Sequence, residues 1–160
     1  MAPEDFLRDF EAAKAKSPGG FLDHNGEPMT VPETEASVRS AEDSLGVRLP
    51  ESFRWYLKTI GGGGFRTEEV FTITGTDAPN LCEENARFDR SKFVAVINDG
   101  AGGCYGFVPS GGVCGERLVY CEEFYGTIEP ATDPTFLDKM HRELLWVLDW
   151  DRWRREQRTR

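Results

Sequence analysis

The sequence predicts an α+β fold, with helices packed against a mainly antiparallel, mixed β-sheet, and three observations support this. Apolar residues recur at three- and four-residue steps over the first sixty positions, the period falls to two through the middle of the chain, and helical spacing returns near its end. The strand-like runs follow one another through loops too short for a helical crossover. A length of 160 residues suits one domain spanning residues 1–160, since a chain of this size buries enough surface for a single core.

The first helix is expected over residues 3–16, with Phe6, Leu7, Phe10 and Ala13 on one face and acids in the first turn. Ser17-Pro18-Gly19-Gly20 stops it, and the stretch to Pro32 reads as a loop. A second helix is expected over 33–45, capped by Thr30 or a neighbour, with Val38, Ala41 and Leu45 facing inward. Gly46 ends it. Pro50 pre-sets a third helix to residue 60, striped by Phe53, Tyr56, Leu57 and Ile60, and the run Gly61 to Gly64 reads as its C-cap and a tight turn. Four β-branched or aromatic runs at 70–74, 93–97, 104–108 and 117–121 predict strands, with a short helix between the first two at 81–88. A closing helix is expected over 134–152, built on Phe136, Leu137, Met140, Leu144, Val147 and Leu148.

Composition narrows the function. No apolar run approaches the roughly 20 residues of a membrane span, and the acidic start Met1-Ala2-Pro3-Glu4-Asp5 does not read as a secretory signal, so a cytoplasmic protein is expected. Cys82, Cys104, Cys114 and Cys121 form no Cys-x-x-Cys pair, which leaves thiols as the expectation and no metal knuckle. Net charge is −9, divided unevenly: residues 1–138 carry 24 acids against 12 bases, and residues 139–160 carry 4 against 7. An acidic body repels phosphate backbones and attracts basic proteins, so a protein partner is expected, with no direct nucleic acid and no membrane.

Catalytic patterns are missing from the sequence. His24 lies in a glycine-rich loop and His141 on the closing helix, neither within a nucleophile or metal motif. Gly61 to Gly64 follows a helix and precedes a strand, the reverse of a phosphate cradle, and Gly100-Ala101-Gly102-Gly103 joins two strands. The pairs Glu68-Glu69, Glu83-Glu84 and Glu122-Glu123 are sequence neighbours, which point to opposite faces of a strand and so suit a solvated surface better than a carboxylate dyad. Trp146, Trp150 and Trp153 fall at helical spacing and are expected in the core, and the cluster Arg152 to Arg160 reads as a solvated terminus. No enzyme activity and no cofactor are expected.

The segment Glu42-x-x-Leu45-Gly46-x-x-Leu49-Pro50-x-x-Phe53, followed by Gly61-Gly62, resembles the signature of the SUKH superfamily. The strand, glycine-rich turn and strand of residues 93–107 and the run 119–123 with 135–137 are similar to later parts of the family pattern, so the resemblance spans residues 33–140. It departs at Gly103-Cys104, where relatives often carry an acid. In physical terms Leu45 and Leu49 anchor the helix junction, Gly46 turns it, Pro50 starts the next helix, and Glu42 is placed to bond the connector's backbone. The resemblance implies an immunity protein that neutralises a polymorphic toxin, often a nuclease, by stoichiometric binding, or alternatively a regulatory scaffold like the family's fungal cell-wall synthesis regulators. For a toxin with a basic surface, the expected contact surface combines acids with aromatic anchors at the sheet end: Glu83, Glu84, Asp99, Tyr120, Glu122, Glu123 and Tyr125.

Overall fold

The computed structural model describes residues 1–23, 25–65, 68–75, 78–122 and 126–149. Helix α1 (Pro3–Lys16) is followed by a two-residue strand β1 (Thr30–Val31), helices α2 (Glu35–Leu45) and α3 (Glu51–Thr59), and strands β2 (Gly62–Phe65) and β3 (Glu68–Val70). The short helix α4 (Leu81–Glu84) leads to β4 (Val94–Asn98) and β5 (Gly103–Phe107), then a hairpin of β6 (Pro109–Ser110) and β7 (Val113–Cys114). Strands β8 (Arg117–Glu122) and β9 (Thr127–Thr135) and helix α5 (Phe136–Leu148) complete the described chain.

Seven strands form one sheet in the order β1-β2-β3-β4-β5-β8-β9, with every pairing antiparallel; the parallel contacts are the isolated bridges Arg48 to Val113 and Thr72 to Asn80. The α+β expectation therefore holds, with a simpler sheet than a mixed one. Strand β4 is the centre: Val94, Ala95, Val96 and Ile97 are fully buried, so both of its faces are covered. On one face Phe107 meets Phe53 of α3 at 6.0 Å between ring centroids, and Phe53 and Tyr56 pack edge-on against Phe136 of α5 at 4.8 and 4.9 Å. Phe6 of α1 extends the stack through Tyr56. On the other face, α4 and the 3-10 turn after it supply Asn85, whose buried side-chain amide donates to Ala95 C=O at 2.8 Å and accepts from Ala95 N–H at 2.8 Å. It takes the place of a neighbouring strand where β3 has already turned away.

Several expected boundaries shift for identifiable reasons. Thr30 and Val31 pair with Gly63 and Gly62 as a strand, and the cap of α2 is Thr34, whose hydroxyl accepts from Ser37 N–H at 3.0 Å. Gly61 has the positive φ expected past a helix end, +100°, but Gly62 to Gly64 belong to β2 and not to a turn. Glycine is required there by close approach: a Cβ on Gly63 would stand 1.8 Å from Met29 C=O. The expected strand over 70–74 ends at Val70, because Ile73 and Thr74 give their N–H groups to Glu33 Oε1 at 2.9 and 2.8 Å. Strand β9 was not expected; Pro130 and Pro134 lie in it, tolerated because β9 is the last strand of the sheet. Trp146, expected in the core, is 39% exposed, while Trp150, Trp153, His24 and residues 152–160 lie outside the described residues. His141 is mostly buried on α5 and meets Asp9 of α1 at 3.0 Å.

Glu33 links these elements, since its other oxygen accepts from Thr74 Oγ1 at 2.9 Å and Ser37 Oγ at 3.0 Å. Burial pushes its carboxyl up, yet the bonds from Thr74, Ile73 and Ser37 prevail and hold it below the ordinary value of 4.5. A depressed carboxylate stabilises the fold above its unfolded value and loses that contribution as pH falls through the folded one. Glu33→Gln should thus be destabilised near neutral pH, by about 1–3 kcal/mol for amides left poorly paired, and should lose less further stability between about pH 5 and pH 3 than the parent. Urea unfolding at those pH values checks this; parallel losses in both proteins would contradict it.

Candidate functional site

The turn between β4 and β5 is organised by Asp99. Its Oδ1 accepts from Ala101 N–H at 2.8 Å and Gly103 N–H at 3.0 Å, an arrangement in which the side chain replaces a backbone turn. Its Oδ2 accepts from the Tyr120 hydroxyl at 2.9 Å, which ties the turn to β8 two strands along. Tyr120 is directly opposite Tyr105, with ring centroids 5.0 Å apart, and its ring lies over Gly103, where a Cβ would stand 2.0 Å from the hydroxyl oxygen. Burial, and then the bond to Asp99, push the Tyr120 phenol up to about 12. Glu122 at the end of β8 and Glu129, opposite Tyr120 on β9, remain exposed beside this pair of rings.

Of the seven residues expected to form one surface, three are brought together: Asp99, Tyr120 and Glu122. Glu83 and Glu84 are on the other side of the sheet. Glu84 pairs with Arg87 at 2.6 Å, and Arg87 reaches Cys104 Sγ at 4.0 Å, whereas Tyr105 on the same strand faces Lys139 of α5. Successive side chains on a strand point to opposite faces, so α4 and the tyrosine pair are separated by the sheet. Glu123 and Tyr125 lie outside the described residues. Asp99 is also committed internally, so the outward charge at this end is supplied by Glu122 and Glu129.

A buried polar cluster escaped the sequence reading. Lys139, 1% exposed, donates to Glu68 Oε1 and to Glu143 Oε1, the latter at 3.3 Å, with its ammonium 4.8 Å from the Tyr105 ring centroid. Arg142 pairs with Asp133 at 2.8 Å beside it. Burial pushes Glu68 above the usual carboxylate range while Lys139 draws it back. Both groups are buried, Glu68 being 7% exposed, and their bond ties α5 to β3 of the sheet. The signal was the i, i+4 pair Lys139 and Glu143 inside the apolar stripe of α5, a spacing that usually denotes a solvated pair.

The motif residues form a clasp. Glu42 Oε1 accepts from Leu49 N–H at 2.8 Å, and its Oε2 accepts from the guanidinium of Arg54, which also donates to Glu35. Leu45 and Leu49 are buried, Gly46 ends α2 at φ +73°, and Pro50 precedes the first residue of α3. A family model described as SUKH_6, SMI1-KNR4 cell-wall, matches residues 35–138. The chain belongs to the SUKH superfamily. The SUKH match runs from the first residue of α2 to the first turn of α5, and so contains the clasp, the Asp99 turn and the tyrosine pair. SUKH proteins are generally non-enzymatic immunity or regulatory proteins that act by protein–protein interaction. A comparison with curated proteins finds no match. Among the described residues no helix is long and apolar enough to cross a membrane, and no group of three or more His, Cys, Asp or Glu is placed to hold a metal ion.

Tyr120→Phe removes the strap between β8 and the Asp99 turn. It should cost about 0.5–1.5 kcal/mol in urea unfolding, the range for one hydrogen bond, and remove one late-ionising phenol from an alkaline absorbance titration. An unchanged unfolding midpoint would show that the bond does not hold the turn.

Proposed function

We propose that this protein is a cytoplasmic immunity protein that binds a cognate toxin one to one and blocks it without chemistry. The observation that supports the reading is membership of a superfamily that includes immunity proteins. Charge gives it direction: a body with 24 acids against 12 bases suits a toxin with a basic surface, such as a nuclease whose groove binds phosphate. The sheet end offers Glu122 and Glu129 around a rigid tyrosine pair, the mixture of aromatic and acidic groups from which interface anchors are drawn, and Glu123 and Tyr125 follow in the same segment. Glu83 and Glu84, across the sheet, would add long-range attraction and no direct contact.

The family description SMI1-KNR4 cell-wall favours a second reading, a regulatory scaffold with a cellular partner. The product of the adjacent gene separates the two. If that product is toxic alone and harmless when co-expressed with this chain, the immunity reading stands; continued toxicity despite a folded chain would remove it.

Within that reading, Glu122→Lys combined with Glu129→Lys should slow association with the purified toxin about ten-fold at low salt, and the difference should shrink as salt screens the charges. Stopped-flow binding at two ionic strengths measures it. An unchanged rate in the folded double variant would place the interface elsewhere.

A further inference from the structure

A second surface lies at the opposite end of the β8–β9 ladder, where Arg117 pairs with Thr135, away from Glu122 and Thr127. Helices α1, α3 and α5 all begin here, and between their first turns runs a groove of about 580 Å³. Its accessible apolar wall is Met1, Pro3 and Trp55, over the buried Leu137, and its rim carries Glu4, Glu51 and Glu116 against Lys58 and the N-terminal ammonium. Lys58 is already paired with Glu35 at 2.8 Å, the ammonium with Asp138 at 3.0 Å and Glu51 with Arg48 at 2.6 Å, so the uncompensated charge at the rim is that of Glu4 and Glu116 and is negative.

Trp55 is the informative residue. Its ring is half-buried and packs edge-on to Phe6, with centroids 6.3 Å apart, which fixes its orientation. Its indole N–H makes no hydrogen bond among the described residues. A tryptophan held rigid on one side, open on the other and with an unspent donor is the composition of an interface anchor. The acids differ in what they are already doing. Glu116 caps α3 by accepting from Ser52 N–H at 3.2 Å and from the Ser52 hydroxyl, and Glu51 pairs with Arg48 at 2.6 Å. Each keeps spare lone pairs. Glu4 is exposed and has no charged partner among the described residues.

We propose that this groove docks a basic polypeptide segment carrying an aliphatic or aromatic side chain. The apolar side chain lies against Trp55, Pro3 and the Met1 side chain, a carbonyl of the segment accepts from the Trp55 indole N–H, and flanking Lys or Arg side chains meet Glu4 and the outer lone pairs of Glu51 and Glu116. Charge complementarity selects this occupant: an acidic segment would be repelled by the rim, and a purely polar one would leave the tryptophan wall in water. The inference stands apart from the toxin reading, because it concerns a different end of the molecule and any partner of this chemistry.

The test is a titration of the isotopically labelled full chain with a short Lys/Leu amphipathic peptide, following the Trp55 indole N–H resonance, with Glu/Leu and Lys/Ser peptides as comparisons. A saturable shift of Trp55 with the Lys/Leu peptide alone is expected. Followed by the backbone amide resonances of Glu4, Glu51 and Ser52, Trp55→Ala should weaken binding about ten-fold, and Glu4→Lys, a surface change that leaves the core untouched, should weaken it several-fold and flatten its salt dependence. The proposal is overturned if the Glu/Leu peptide binds as well, if the shifts gather at Glu122 and Glu129 instead, or if Trp55 does not respond at millimolar peptide. It is equally overturned if Trp55 shifts with protein concentration, showing a second copy in the groove, or on removal of residues 150–160, showing that the chain's own basic tail occupies it.

Discussion

A guanidinium is buried only where carboxylates meet it, and Arg54, 5% exposed, is met by Glu42 and Glu35. That requirement fixes α3 against α2. Glu42 spends its remaining oxygen on Leu49 N–H and so shapes the connector as well. With the connector set, Arg48 donates to Gly112 C=O at 2.8 Å and accepts from Cys114 N–H at 2.8 Å, which docks the β6–β7 hairpin. The helix so placed presents Phe53 and Tyr56 to Phe136 and Phe107, the aromatic layer through which α5 and the sheet meet. One buried ionic contact therefore sets how the helices meet the hydrophobic core.

The same logic sorts the acids of this chain. Glu33, Glu42, Glu68 and Asp99 accept bonds from within the molecule and hold a loop, a connector, a helix and a turn respectively. They contribute to the net charge but not to a contact surface. Glu4, Glu122 and Glu129, at two separated ends, are exposed instead, as are Glu27, Asp43 and Glu83 elsewhere. An acidic composition thus overstates how much acid is on offer, and location decides what each carboxylate does.

The helices were legible because their faces bury at helical spacing and their ends are punctuated by Pro50, Gly46 and Gly61. The clasp was half legible: the spacing of Glu42 from Leu49 pointed to a bond with the connector, but nothing in the neighbourhood of Arg54 marks it as buried, since its partners lie twelve and nineteen residues away. Strands β2 and β9 were hidden because glycine and proline usually argue against a strand; close backbone approach overrides the first and an edge position the second. At the sheet end, Asp99 and Tyr120 were placed together from strand order, while Glu83 and Glu84 were not excluded because periodicity reveals an element's type and not the side of the sheet on which it packs.

The claim that the family motif is an internal clasp, and not a ligand site, is tested most directly by a double-mutant cycle. Urea unfolding of Glu42→Ala, Arg54→Met and the double variant gives their coupling. Each single change should be strongly destabilising, about 3 kcal/mol, because it strands a buried charge, and the double change should cost at least 1 kcal/mol less than the two added together. Additive effects would contradict the account, since they would mean that Arg54 is stabilised without Glu42 and that the motif carboxylate serves something other than the fold.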